Sequence, residues 1–187
     1  GVPQKNILIT GNTVVDIVKE VKNNIEKNKN YLKINDDLKF LNNNKKIILV
    51  TCHRRENIGE GIQNICKAIL RIAKFFEDLI IVIPVHHNPS IRKTIKSKLS
   101  NKKNIFLIEP LDYFEFIELM NKSELIITDS GGIQEEIFTL QKPTLILREI
   151  SERDGIENCD SVKLVGASEE KIFSEAAKVL SNNNKYE

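Results

Sequence analysis

With 187 residues and 41% hydrophobic side chains, the chain is long enough for one domain with its own core and too apolar to be disordered throughout. Its 28 basic and 26 acidic residues leave a net charge of +2, which gives no general reason to expect nucleic acid or an anionic membrane as partner, so any anion binding must be local. No apolar run approaches a membrane span and no signal peptide is visible, so the cytoplasm is the default location. Cys52, Cys66 and Cys159 are odd in number and lack Cys-x-x-Cys spacing, and they read as free thiols in a reducing compartment. Residue 1 is Gly and Met120 is the only methionine, so the sequence reads as part of a longer protein.

The chain opens with a predicted strand, Ile7–Thr10, a turn at Gly11-Asn12-Thr13, and a helix whose apolar side is Val14, Val15, Ile17, Val18 and Val21. Lysine and asparagine dominate from Lys22 to Asn35, which predicts a helix end and an exposed connection, followed by a short helix at Asp36–Leu41. A regular pattern then begins. Strand Ile47–Thr51 leads through Cys52-His53-Arg54-Arg55-Glu56-Asn57 into a helix from Ile58 to Phe76; strand Leu79–Val85, apolar enough to be buried on both faces, precedes His86-His87-Asn88-Pro89 and a helix at Ser90–Leu99. Strand Ile105–Ile108, a turn at Glu109-Pro110-Leu111, helix Tyr113–Met120 and strand Leu125–Thr128 follow. After a glycine turn and another helix come strands Thr144–Leu147 and Val162–Val165 and a last helix, Ser168–Leu180. Strands alternating with helices at this spacing predict an α/β fold with a doubly wound, Rossmann-like parallel sheet.

The most informative stretch is Leu125-Ile126-Ile127-Thr128-Asp129-Ser130-Gly131-Gly132-Ile133-Gln134-Glu135-Glu136. A strand stops at a polar pair, passes two glycines and resumes as Ile133, Ile137 and Leu140, the spacing of a buried helix face. Glycines there remove the side chains that would block a ligand, while the N–H groups and the positive end of the helix dipole point outward together, a site for an anion such as phosphate. Glu136, one turn beyond Gly132, is placed to accept hydrogen bonds from hydroxyls on whatever carries that phosphate, as a nucleotide's ribose does. The plainer alternative is that Asp129 or Ser130 simply caps the helix. The turn is neither a dinucleotide fingerprint nor a P-loop, because its glycines are adjacent and no Gly-Lys-Ser/Thr follows.

In a parallel α/β sheet the ligand lies beyond the carboxyl ends of the strands. The loops predicted at that edge hold His53, His86 and His87 together with Arg54, Arg55, Arg148 and Arg153, and arginine is what bidentate phosphate recognition uses. His86 and His87 do not read as metal ligands, since adjacent side chains diverge and no further ligand stands at a recognised spacing. Taken singly, Arg153 reads as a surface ion-pair former and Phe116 as a core residue.

Jointly, Gly11-Asn12-Thr13-Val14-Val15-Asp16, Thr51-Cys52-His53-Arg54-Arg55-Glu56-Asn57, Pro84-Val85-His86-His87-Asn88-Pro89, Glu109-Pro110-Leu111-Asp112-Tyr113, the Thr128–Glu136 turn and Glu152-Arg153 resemble, in order, the carboxyl-terminal half of the non-hydrolysing UDP-N-acetylglucosamine 2-epimerases. The resemblance implies one half of a GT-B fold, with residues 1–30 as the bridge between domains and 31–187 as the UDP-binding domain. It implies that Ser130, Gly131 and Gly132 hold the diphosphate, Glu136 the ribose hydroxyls, and the Leu111 backbone with Phe116 the uracil. His53 would act at the diphosphate and sugar end, and Arg153 would contact the nucleotide-sugar. Some relatives carry Gln at Leu111, and Asp154-Gly155 stands where the family usually continues Pro-Glu.

The implied reaction inverts C2 of the sugar by elimination and return of UDP, with no metal or other cofactor and with acid and base groups coming mostly from the other domain. The chain alone would then be inactive, and the whole protein would be a cytoplasmic homodimer acting on a UDP-sugar, with neither nucleic acid nor membrane as partner. The Asp-Ser-Gly-Gly turn equally fits a hydrolysing relative, a 2-epimerase of a deoxygenated UDP-sugar or a GT-B glycosyltransferase, and the chain by itself fits a non-catalytic UDP-binding module.

Overall fold

The computed structural model describes residues 1–27, 44–150 and 161–181. Its elements are α1 (Thr13–Lys27), β1 (Ile47–Thr51), α2 (Glu60–Phe75), β2 (Ile80–Pro84), α3 (Pro89–Leu99), β3 (Ile105–Ile108), α4 (Tyr113–Lys122), β4 (Leu125–Thr128), α5 (Ile133–Leu140), β5 (Thr144–Ile146), β6 (Val162–Leu164) and α6 (Glu169–Ser181). All strand pairs are parallel, in the order β3-β2-β1-β4-β5-β6. The order reverses between β1 and β4, so the loops leaving these two neighbours run to opposite faces and open a crevice at the sheet's carboxyl edge.

Both faces of the sheet are covered. Along β1 the alternation of side chains sends Ile48 and Val50 into a core shared with Ile62, Ile65 and Ile72 of α2, Ile91 and Ile95 of α3, and Ile172 and Ala176 of α6. Ile47 and Leu49 go to the opposite core, with Val18 and Val21 of α1, Ile117 and Met120 of α4, and Ile133 and Ile137 of α5. Burial on two faces explains why β1, β2 and β4 read as continuous apolar runs. Each fully buried Ile or Leu contributes roughly 1.5–3 kcal/mol relative to exposure.

The predicted strand Ile7–Thr10 does not form. A single 3-10 turn at Gln4–Asn6 is followed by residues with no sheet partner, and Leu8 and Ile9 are 84% and 92% exposed. Apolar residues make a strand only where another strand satisfies their backbone, and among the described residues none pairs with this segment. Asn12 starts α1 instead: its Oδ1 accepts from Val14 N at 3.0 Å, and its Nδ2 donates to Glu135 Oε2 at 2.9 Å, tying α1 to the first turn of α5. The helix predicted from Ile58 begins at Glu60. Arg55–Asn57 form a 3-10 turn, Gly59 takes φ +96°, which favours glycine, and Ile58 is left exposed. α4 runs two residues past Met120 to Lys122. The predicted helix at 36–41 lies outside the described residues, as do Arg153 and Cys159.

Candidate functional site

The crevice at the switch point has a volume of about 330 Å³ and is lined by Thr51, Cys52, His53, Pro84, His86, Pro110, Leu111, Phe116, Ser130, Gly132, Ile133 and Glu136. Six of the predicted site residues therefore meet in one hollow: His53, Leu111, Phe116, Ser130, Gly132 and Glu136. Gly131 sits in the turn itself, under the Arg54 guanidinium, whose Nη2 lies 3.8 Å from where a Cβ would stand. A larger hollow of about 560 Å³ lies at the other end of the sheet, among Lys46, Phe75, Phe76 and Leu79, away from the switch point.

Gly132 is the cap of α5 and has ordinary right-handed helical geometry, φ −64° and ψ −45°, with no side-chain cap bond. A Cβ at Gly132 would meet only Ser130 Oγ, at 3.9 Å. The fold therefore does not demand glycine here, and what the missing side chains leave open is the space over the helix start. An α-helix leaves the N–H groups of its first turn without intrahelical partners, and α5 begins at this space. The Ser130 N–H is already engaged, donating to Thr128 Oγ1 at 3.0 Å, so only the hydroxyl of this residue is open to serve a ligand. Thr128 Oγ1 also meets Thr51 Oγ1 at 2.6 Å, so a hydroxyl pair joins β1 to β4 directly beneath the turn.

Asp129 is not the helix cap. Its carboxylate, 0% exposed, turns back toward β1 and accepts from His53 N at 3.0 and 3.1 Å, from Arg54 N at 2.9 Å and from Asn57 Nδ2 at 2.9 Å. This one side chain fixes the histidine-arginine loop against the glycine turn. His53 Nδ1 is 3.4 Å from Asp129 Oδ1, and the His53 ring stacks on His86 with centroids 5.3 Å apart at 22°. His86 Nδ1 accepts from Asn88 N at 3.1 Å, and burial together with the neighbouring His53 and His87 holds its pKa below the usual histidine value, which favours the neutral ring. No cluster of three potential metal-ligating side chains occurs among the described residues.

Among the described residues the two thiols, Cys52 and Cys66, are buried and held in the protonated form. Burial and then the Asp129 carboxylate push Cys52 far above the ordinary thiol range, and burial pushes Cys66 up to about 11. Glu136 is half-buried on α5, and burial raises its pKa while a hydrogen bond from the Tyr113 hydroxyl opposes the rise. Leu111 and Phe116 are partly buried against the second core and present their remaining surface to the crevice, so Phe116 is both core and wall.

Asp129 and Asn57 carry parts in this arrangement that the sequence alone did not assign. The strings around Asn57 and Asp129 were visible, but which way each side chain turns depends on loops more than seventy residues apart.

The UDP-N-acetylglucosamine 2-epimerase family profile matches residues 1–187. The chain belongs to this family. It is 47% identical over its whole length to a UDP-N-acetylglucosamine 2-epimerase of Campylobacter jejuni and covers 50% of that protein, and 41% identical to the Salmonella typhimurium enzyme, again covering 50%. The Neisseria meningitidis UDP-GlcNAc 2-epimerase bound to UDP-GlcNAc superposes with a TM-score of 0.88 at 40% identity, over 97% of this chain and 49% of that one. The Methanocaldococcus jannaschii enzyme in complex with UDP-GlcNAc and UDP gives 0.75 at 32% identity, over 100% and 51%. The chain thus spans about half the length of the curated relatives it matches, and its six-stranded parallel sheet is one half of a GT-B architecture. Among the described residues no helix is long and apolar enough to cross a membrane.

Proposed function

We propose that the chain is the UDP-binding half of a UDP-N-acetylglucosamine 2-epimerase that interconverts UDP-GlcNAc and UDP-ManNAc. The observation that carries this reading is the open space over Gly132, with Glu136 one helical turn beyond it and both in one crevice with His53 and Phe116. Diphosphate at the helix start puts ribose hydroxyls within reach of Glu136 and the base toward Leu111 and Phe116; Arg54 adds positive charge at the glycine turn. Relatives at 40% and 32% identity carry UDP-GlcNAc in their solved structures, which supports the same ligand class here.

In this reaction a base removes the C2 proton, the bond between C1 and the UDP oxygen breaks, and UDP departs with the bonding electrons to leave a C1=C2 glycal. UDP then returns to C1 while an acid delivers a proton to the other face of C2. The part of this chain is to stabilise the departing diphosphate, through N–H donors fixed before the reaction starts, with His53 at the sugar end. Arg153, outside the described residues, would contact the nucleotide-sugar. In the same reading residues 1–30 bridge to the partner domain, 31–187 bind UDP, and the whole protein is a cytoplasmic homodimer.

Calorimetry with UDP, with and without chelator, tests the nucleotide assignment: saturable, metal-independent binding is expected, and its absence in a folded chain removes UDP from this crevice. Gly132→Ala separates ligand from fold. Because the backbone is helical and the added methyl meets open space, unfolding free energy should stay the same or rise by about 0.4–1 kcal/mol, while UDP affinity falls by at least about tenfold. Unchanged affinity in that variant rejects the helix start as the diphosphate site.

A further inference from the structure

We propose that Asp129 is a positioning residue for His53: its buried carboxylate holds the neutral ring as the Nδ1–H tautomer, so that Nε2, the nitrogen left for the ligand, is a proton acceptor. The inference rests on the reading that His53 acts at the diphosphate and sugar end of the crevice.

Three contacts leave the ring little freedom. Its backbone is anchored, because His53 N donates to both Asp129 oxygens at 3.0 and 3.1 Å and Arg54 N donates to Oδ2 at 2.9 Å. Its plane is set by the His86 ring, stacked on it with centroids 5.3 Å apart at 22°. His86 is itself held, since its Nδ1 accepts from Asn88 N at 3.1 Å. Within that plane His53 Nδ1 lies 3.4 Å from Asp129 Oδ1, on a side chain that is 0% exposed, whereas the His53 side chain keeps 38% of its surface open and lines the crevice. With the Nδ1 edge against Asp129, Nε2 is the nitrogen on the open side.

A neutral imidazole carries one N–H, and which nitrogen carries it is set by what the other faces. An ionised carboxylate only accepts, so a proton on Nδ1 is attracted to Oδ1, while a bare lone pair there would set two acceptors against each other. Buried carboxylates hold histidines in one tautomer in the same way in hydrolase triads. The consequence lies at the far nitrogen. Nε2 can take up a proton without disturbing the Asp129 contact, and the imidazolium then turns an N–H and a positive charge toward the diphosphate as the bond from C1 to the UDP oxygen breaks. In the other tautomer that proton would have to enter at Nδ1, on the shielded side. If Asp129 served only to hold the loop, its bonds to His53 N, Arg54 N and Asn57 Nδ2 would suffice, and the ring tautomer would not depend on it.

The test is long-range ¹H–¹⁵N NMR correlation of the ring nitrogens in the labelled chain, in mildly alkaline solution, with His53→Gln identifying the His53 signals. The wild-type chain should show a protonated Nδ1 and a bare Nε2. Asp129→Asn keeps the shape but can turn an NH₂ group toward Nδ1, so the two nitrogen types should exchange places, and the thermal unfolding midpoint verifies that the variant is folded. Saturating UDP should shift the wild-type Nε2 resonance more than Nδ1. A protonated Nε2 in the wild-type chain overturns the proposal without recourse to any variant, and so does a protonated Nδ1 that survives in folded Asp129→Asn. If the wild-type tautomer is the expected one and UDP binds but leaves Nε2 unmoved, the placement of His53 beside the diphosphate is overturned instead, while the hold of Asp129 on the ring stands.

Discussion

Asp129→Ala is expected to cost about 3–5 kcal/mol of folding stability, the largest effect of any single change at the crevice. The carboxylate removed is fully buried and accepts from His53 N, Arg54 N and Asn57 Nδ2, all between 2.9 and 3.1 Å. Truncation takes the acceptor from three donors, and each stranded group costs roughly 1–3 kcal/mol before relaxation. Relaxation is limited on one side, because Asn57 lies against Gly61 of α2, and on the other, because the Thr51–Thr128 pair locks β1 to β4. Asp129→Asn keeps one acceptor oxygen but turns an NH₂ group toward donors, so its loss should be smaller, about 1–3 kcal/mol. Urea unfolding of the three chains is the measurement. A shift below about 1 kcal/mol for the alanine variant would mean that the histidine-arginine loop is held by something other than Asp129.

That carboxylate also marks the limit of what could be read from residues in order. The alternation of strands and helices, the parallel sheet and the crevice at its carboxyl edge follow from local periodicity, and strand Ile105–Ile108 was legible to the residue because turns bound it on both sides. The glycine turn was legible for the same reason. The direction of the Asp129 side chain was not: an aspartate three residues before a glycine cap satisfies the local rules for capping, and only the arrival of His53, Arg54 and Asn57 from the neighbouring strand decides otherwise. The opposite error occurred at Ile7–Thr10, where strand composition was present and a strand partner was not.

The 187-residue chain should bind UDP yet fail to exchange the C2 proton of UDP-N-acetylglucosamine with D₂O, whereas the longer parent protein should exchange it and accumulate the manno epimer. Inversion at C2 needs a base on one face of the sugar and an acid on the other, and the crevice described here is built from a single sheet edge. Its acidic groups are already committed. Asp129 is taken up by the loop donors, Asp112 caps α4 through Glu115 N, Glu136 is assigned to the ribose, and Glu56 is an exposed partner of Arg54 at 3.4 Å. His53 remains as one group on one wall, with its Nδ1 edge toward Asp129. One titratable wall can assist the departure of UDP, but it cannot both take a proton from one face and return it to the other. An NMR time course on both proteins, with UDP binding verified in each, decides the matter. Exchange catalysed by the 187-residue chain itself would show that His53 together with Glu56 or Asp112 supplies the acid and base, and the division of labour between the two halves proposed here would have to be abandoned.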